Sequence, residues 1–156
     1  MRRLFFALAL ILLCNVGNGQ FSKHAIGLRL GGGDGFGPEI SYQQGLTDIN
    51  RLEFDLGMHS GSNYSAWSLA GIYQWVWNID RNFNWFVGAG GRIGSWSWDT
   101  GYLGKDNGGV FLAAAGNIGI EYSFPIGIQI GLDARPEIGL INHSNNTIAF
   151  SVRYRF

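Results

Sequence analysis

The last ten residues of the chain read Thr147-Ile148-Ala149-Phe150-Ser151-Val152-Arg153-Tyr154-Arg155-Phe156. Ile148, Phe150, Val152, Tyr154 and Phe156 fall on alternate positions, with Thr147, Ser151, Arg153 and Arg155 between them. A period of two is that of a β-strand, whose successive side chains point to opposite faces. In a helix the same spacing would scatter the apolar groups around the axis. The stretch is therefore a strand with one apolar and one polar face.

The alternation recurs upstream. Eight segments carry it, at roughly 23–32, 36–46, 51–60, 66–78, 84–96, 109–123, 126–137 and 146–156. Turn-forming clusters such as GGDG, LTDIN, SGSNYS, NIDRN and HSNN separate them. No stretch sustains a helical period, and none after the first twenty residues is an apolar run long enough to span a bilayer as a helix. The spacing is about 17 residues per strand plus connection, which fits membrane strands of ~9–11 residues joined by short loops.

Sorting each segment into faces sharpens the reading. One face carries Leu28, Leu30, Ile40, Tyr42, Phe54, Leu56, Trp67, Leu69, Trp75, Trp85, Ile93, Leu112, Ile120, Ile130 and Phe150, with no charged residue. The other carries Arg29, Glu39, Arg51, Glu53, Asp55, Arg92, Glu121, Asp133, Arg135, Glu137, Arg153 and Arg155. A soluble ligand-binding barrel turns the apolar face inward, whereas a membrane barrel turns it outward. Three features favour the second. Glycines crowd the polar face, at 27, 31, 37, 45, 57, 88, 90, 94, 119, 127 and 131, as a narrow lumen filled by long side chains requires. Tyr42, Trp67, Trp75, Trp77, Trp85, Tyr122 and Tyr154 lie near strand ends on the apolar face, where interfacial girdles belong. The polar face holds as many arginines as carboxylates, and charges withdrawn from water must be paired.

The expected fold is thus all-β: an eight-stranded antiparallel up-and-down transmembrane β-barrel with a polar, side-chain-filled lumen. Arg29, Arg92, Arg135 and Arg153 should meet Glu39, Glu53, Asp55, Glu121 and Asp133 in a cross-lumen ion-pair network. For Arg92 the nearest carboxylates are expected to be Glu39, Glu53 and Glu121. Eight strands enclose a space that side chains just fill, so no permanent pore is expected.

Composition agrees. The 156 residues include 11 Lys+Arg and 11 Asp+Glu, a balance that leaves no electrostatic footprint for nucleic acid. A hydrophobic content of 46% is too high for a disordered chain, and 25 glycines without a three-residue period exclude collagen. Met1-Arg2-Arg3 followed by the apolar run Leu4–Cys14 has the form of a secretory signal peptide. Gly17 and Gly19 suit its cleavage site, giving a leader at 1–19 and a barrel domain at 20–156. Cleavage removes the only cysteine, so no thiol chemistry or disulfide is expected in the mature protein.

The terminal alternation, with Tyr154 two residues before a final Phe156, resembles the C-terminal signal of Gram-negative outer-membrane barrels. The whole mature chain resembles the small OmpA/OmpX-type barrels, and segments such as Trp85-Phe-Val-Gly-Ala-Gly-Gly91 and Arg135-Pro-Glu-Ile138 look like the small outer-membrane β-barrel proteins of Bacteroidetes. The resemblance implies a porin-like monomer in the cell outer membrane, among lipid and lipopolysaccharide, inserted by the barrel-assembly machinery through Tyr154 and Phe156. It implies no cofactor and no assigned enzymatic activity. Both termini then face the periplasm, with turns near 47–50, 78–83 and 123–126. Loops near 31–36, 60–66, 95–109 and 137–146 face outward. The longest, Ser95–Gly109, offers Trp96, Trp98 and Tyr102 as candidate surface contacts.

Two other functions suit an exported barrel. Outer-membrane lipid A deacylases are also eight-stranded barrels, with a His-x-Ser-Asn motif whose spacer puts His and Ser on one face. Here His143 and Ser144 are adjacent, so a strand would point them apart, and no carboxylate follows. A soluble exported barrel binding a hydrophobic ligand is the other alternative. His24, His59 and His143 lack metal-ligand spacing, and Gly88, Gly90 and Gly94 miss the nucleotide-binding pattern.

Overall fold

The computed structural model describes residues 23–32, 37–61, 63–98, 107–141 and 145–156. The proposed leader, Tyr102, His143 and Ser144 lie outside the described residues. Eight strands form: β1 (His24–Gly32), β2 (Glu39–Gly45), β3 (Asn50–Ser60), β4 (Tyr64–Asp80), β5 (Phe83–Trp98), β6 (Asn107–Ser123), β7 (Ile128–Ile141) and β8 (Asn145–Arg155). Each pairs antiparallel with its neighbours in sequence, and β8 returns to β1, closing the barrel. The closing ladder runs from Ala25↔Arg155 to Gly32↔Ile148. Beyond it, Phe156 N donates to His24 O at 2.9 Å and His24 N donates to Phe156 O at 3.3 Å. Closure leaves no strand edge, which is the condition for a sheet to sit in hydrocarbon.

The pleat sorts the side chains inside out relative to a soluble protein. Leu28, Ile40, Phe54, Leu69, Ile93, Ile120, Leu132 and Phe150 are exposed on the outer wall, while Arg29, Arg92 and Arg135 are each 0% exposed in the lumen. A hydrophobic-ligand carrier needs the opposite arrangement, so the soluble-barrel alternative is overturned. At ~25 cal/mol per Å², such an apolar exterior is unfavourable in water and favourable in lipid.

The strand limits differ from the sequence reading mainly between β4 and β7. β4 and β6 are 17 residues long and β5 is 16. At ~3.3 Å per residue and a tilt of ~45°, 17 residues rise about 40 Å, well beyond the ~25 Å apolar band of such barrels. The added residues resemble a loop in composition (Tyr64-Ser65, Ser97-Trp98, Asn107-Gly108) yet continue the ladder, with Tyr64↔Trp98 and Trp98↔Asn107 in register. Ser65 Oγ and Ser97 Oγ meet at 3.0 Å across it. Backbone pairing with long neighbours overrides local composition here. At the end away from the termini the wall over β3–β6 therefore continues beyond the ends of β2 and β7.

At the end with the termini the connections are tight. In the β2–β3 turn, Thr47 Oγ1 accepts from Ile49 N at 3.3 Å and Asn50 N at 3.1 Å. Gly127 has φ +86° in the β6–β7 turn, and Gly37 has φ +71° before β2. Both were expected within strands; their positive φ marks turns, where glycine is favoured.

Candidate functional site: the ion-paired lumen

Every second residue of each strand points inward, so eight short polar sequences meet on one axis. Arg29 on β1 reaches two strands. Its NH1 donates to Glu39 Oε2 at 2.6 Å, and its Nε and NH2 both donate to Asp133 on β7, the shortest bond being 2.7 Å. Glu39 also accepts from Arg92 NH2 at 2.9 Å. Arg92 donates further to Ser68 Oγ at 2.8 Å and Glu137 Oε1 at 3.0 Å. Thus Glu39 is the carboxylate shared between β1 and β5.

A second cluster centres on β3. Glu53 accepts from Arg135 NH2 and Arg153 NH2, each at 2.9 Å, and from Gln43 Nε2 at 2.7 Å. Arg135 NH2 also binds Asp55, and Arg153 spends its remaining donors on Ser41 and Ser151. A third group lies nearer the termini. Arg51 grips Glu121 with both amino groups, each contact 2.8 Å. Its Nε donates to Gln74 at 2.6 Å, and its guanidinium lies 4.9 Å from the Phe86 ring centroid, in the range of a cation–π contact. Gln74, Asn117 and Asp133 then link this group to Arg29 by bonds of 2.7 and 3.0 Å. Hydrogen bonds thus join the first and third groups, and the second approaches them through an ion pair, Arg135 NH1 lying 3.9 Å from Glu39 Oε2.

All nine residues singled out for the lumen point inward and have an opposite charge within ion-pair distance. Particular pairings differ from expectation. Arg92 meets Glu39 and Glu137, not Glu53, which is held by Arg135 and Arg153, nor Glu121, which is held by Arg51. Parity fixes which side chains enter the lumen; barrel stagger fixes which of them meet. Arg51, Glu137, Gln74 and Asn117 belong to the network without having been singled out, although their strand parity already placed them on the polar face.

The lumen also has apolar parts that alternation did not reveal. Ile72, Phe86 and Phe111 are buried inside. Phe86 sits in the unbroken run Trp85-Phe86-Val87, where hydropathy cannot assign faces. These residues modify the glycine argument. A Cβ at Gly119 would lie 2.5 Å from the Phe86 ring, and at Gly90 or Gly94 it would run into the backbone carbonyl of Gly71 or Trp67. The inward glycines thus make room for strand backbones and aromatic rings as well as arginines.

The expected loop placement of Trp96 and Trp98 is corrected, while Trp98 remains exposed. Trp96 and Trp98 lie in β5, not in a loop. Trp96 packs against Ala66 and Phe111, and Trp98 meets Tyr64 with ring centroids 4.7 Å apart. Both sit on the inward parity of the extended wall. Tyr154 is exposed on the outer wall. Phe156 lies 5.7 Å from the His24 ring, and His24 Nδ1 meets Tyr42 OH at 2.8 Å. Among the described residues, no group of His, Cys, Asp and Glu could hold a metal ion.

A closed antiparallel barrel with an apolar exterior and an ion-paired interior is the architecture of a small transmembrane β-barrel. Solved structures of that kind superpose on the chain. The N-terminal β-barrel domain of Pseudomonas aeruginosa OprF matches with TM-score 0.71 and 14% identity, covering 88% of this chain and 100% of that one. Neisserial surface protein A matches with TM-score 0.60 and 15% identity, covering 85% and 94%. Ail, the attachment invasion locus protein of Yersinia pestis, matches with TM-score 0.56 and 12% identity, covering 85% and 96%. At these identities the likeness is one of fold. No family profile matches the chain, and no curated protein sequence does so significantly.

Proposed function

We propose that the protein is a monomeric integral barrel of the bacterial outer membrane, with a structural or surface-interaction role, no enzymatic activity and no permanent pore. The observation that carries this is the pairing of an apolar outer wall with a lumen filled by interlocked arginines, carboxylates and aromatic rings. Residues 1–19 serve as a cleaved export leader. Tyr154 and Phe156 act as the signal to the barrel-assembly machinery, and lipid and lipopolysaccharide surround the wall. The style of Trp85–Gly91 and Arg135–Ile138 supports placing it among the small barrels of Bacteroidetes. Both termini face the periplasm, which puts the extended β3–β6 wall and its Trp98–Tyr64 pair at the cell surface.

Membrane fractionation, with gels of boiled and unboiled sample, tests the reading: a carbonate-resistant, heat-modifiable species in the outer membrane is expected, and a soluble periplasmic one refutes it. Steady single-channel steps in planar bilayers would refute the closed lumen. Mass spectrometry of lipid A from a deletion strain tests the absence of acyl hydrolysis, since a lost acyl chain in wild type alone would restore the deacylase alternative.

A further inference from the structure

The lumen mouth at the end of the termini holds a cavity of about 600 Å³, lined by residues from all eight strands and by the 46–49 turn. That volume lies within the ~300–1,000 Å³ typical of small-ligand sites. Its polar lining does not neutralise itself. Arg51 and Glu121 pair with each other. Among the described residues, Lys23 and Arg155 have no carboxylate at ion-pair distance, although both line the cavity. Among the described residues, three further polar atoms of the lining are buried without a hydrogen-bond partner, one of them Asn50 Oδ1. Arg155 Nε is buried and bonded to nothing, and so is Oε1 of Gln129, a side chain only 3% exposed. A buried donor without an acceptor is costly and calls for an explanation. Only Asp48, on the covering turn, adds a negative charge that the lining has not already paired.

We infer that this vestibule binds a small anion, with a carboxylate or phosphate group seated on Arg155 and Lys23 and a hydroxyl or amide of the same ligand donating to Gln129. Guanidinium and ammonium groups together suit an oxyanion, the first by its planar fork and the second as a point charge. The Arg51–Glu121 pair forms the inner limit, so the anion stops at the mouth. The inference does not depend on the compartment assigned above; under that assignment the vestibule opens to the periplasm. The same chemistry is available from a dissolved metabolite or from an anionic lipid headgroup at the rim.

The test uses the full mature chain, refolded in nanodiscs of phosphatidylcholine and titrated with inorganic phosphate and with glutarate. Calorimetry and side-chain amide NMR report binding, and heat-shifted gel mobility confirms that each variant is folded. Saturable binding is expected, weakened at least tenfold by Arg155→Gln and severalfold by Lys23→Gln. Arg81→Gln removes a cation from the same end but outside the cavity lining, and should leave affinity unchanged. No saturable binding, or equal weakening by Arg81→Gln and Arg155→Gln, overturns the proposal, because the effect would then be diffuse attraction. Repeating the titration in phosphatidylglycerol nanodiscs identifies the source. Loss of phosphate binding with a perturbed Arg155 signal identifies the lipid headgroup as occupant; retained binding identifies a dissolved anion.

Discussion

Glu39 is the carboxylate whose removal should be felt most widely, and Glu39→Ala is the sharpest test of the ion-paired lumen. The side chain is 1% exposed and accepts from Arg29 at 2.6 Å and from Arg92 at 2.9 Å. Breaking a buried pair by deleting one partner costs ~3–5 kcal/mol, because the other charge stays buried without compensation. Neither arginine is wholly abandoned here: Arg29 keeps Asp133, and Arg92 keeps Ser68 and Glu137. The expected loss is therefore at the lower end, about 3 kcal/mol. Glu39→Gln retains an acceptor but not the charge, and should lose about half of that. The assay is urea unfolding in phosphatidylcholine vesicles, followed by tryptophan fluorescence and by gel mobility. The double variant Glu39→Ala/Arg29→Ala should be less destabilised than the sum of the two single variants. An unchanged midpoint in Glu39→Ala would mean that lumen water solvates these guanidinium groups, and the plugged interior would have to be abandoned.

Three further outcomes follow from the geometry. Leu56→Arg places a charge on the outer wall and should cost ~2–4 kcal/mol in lipid, whereas Ile126→Arg, in a turn and 71% exposed, should cost little; equal costs would show the membrane band to be misplaced. Gly94→Val forces a side chain against the Trp67 carbonyl and to within 2.6 Å of the Phe111 ring, so unfolding experiments should show a loss of at least ~1–3 kcal/mol, and none would mean that β4 and β5 yield freely. Deleting Phe156 removes two backbone hydrogen bonds and the ring against His24, a loss of about 1–2 kcal/mol on refolding in vitro; its effect on membrane levels in cells should be far larger, and normal levels would show that the terminal residue is not read during assembly.

Strand number, order and facing were legible because alternation is a local property, repeated eight times. Arg29, Glu53 and Arg135 could be assigned inward from their own neighbours alone. What alternation does not encode is height along the axis. Residues on distant strands meet according to tilt and stagger, which depend on closure of the whole sheet. That is why Arg92 finds Glu137 rather than Glu53 or Glu121. The extended wall was hidden for a related reason. Trp96 and Trp98 stand among Ser, Asp and Gly and look like loop residues, but the ladder to β4 and β6 continues past them. Phe86 and Phe111 were missed because an apolar residue inside a polar lumen breaks the rule by which faces were sorted.

The network's span bears on how the barrel closes. Arg29 on β1 bonds to Asp133 on β7, Arg135 on β7 to Glu53 on β3, and Arg153 on β8 to Ser41 on β2. None of these bonds joins two strands that are adjacent in the sheet, so the bonds cannot form in a hairpin or an open sheet. They appear only when β8 has reached β1. Until then each guanidinium needs water or headgroups, because an arginine in hydrocarbon costs several kcal/mol at mid-depth. A slip of β8 by one residue would turn Arg153 outward and Val152 inward, exchanging every lumen contact for a lipid one. The charges thus penalise the unclosed and the misregistered barrel more than they favour the correct one. Buried ion pairs contribute little net stability relative to apolar packing but much discrimination between registers, and this lumen uses them across strands where register cannot be fixed by a turn.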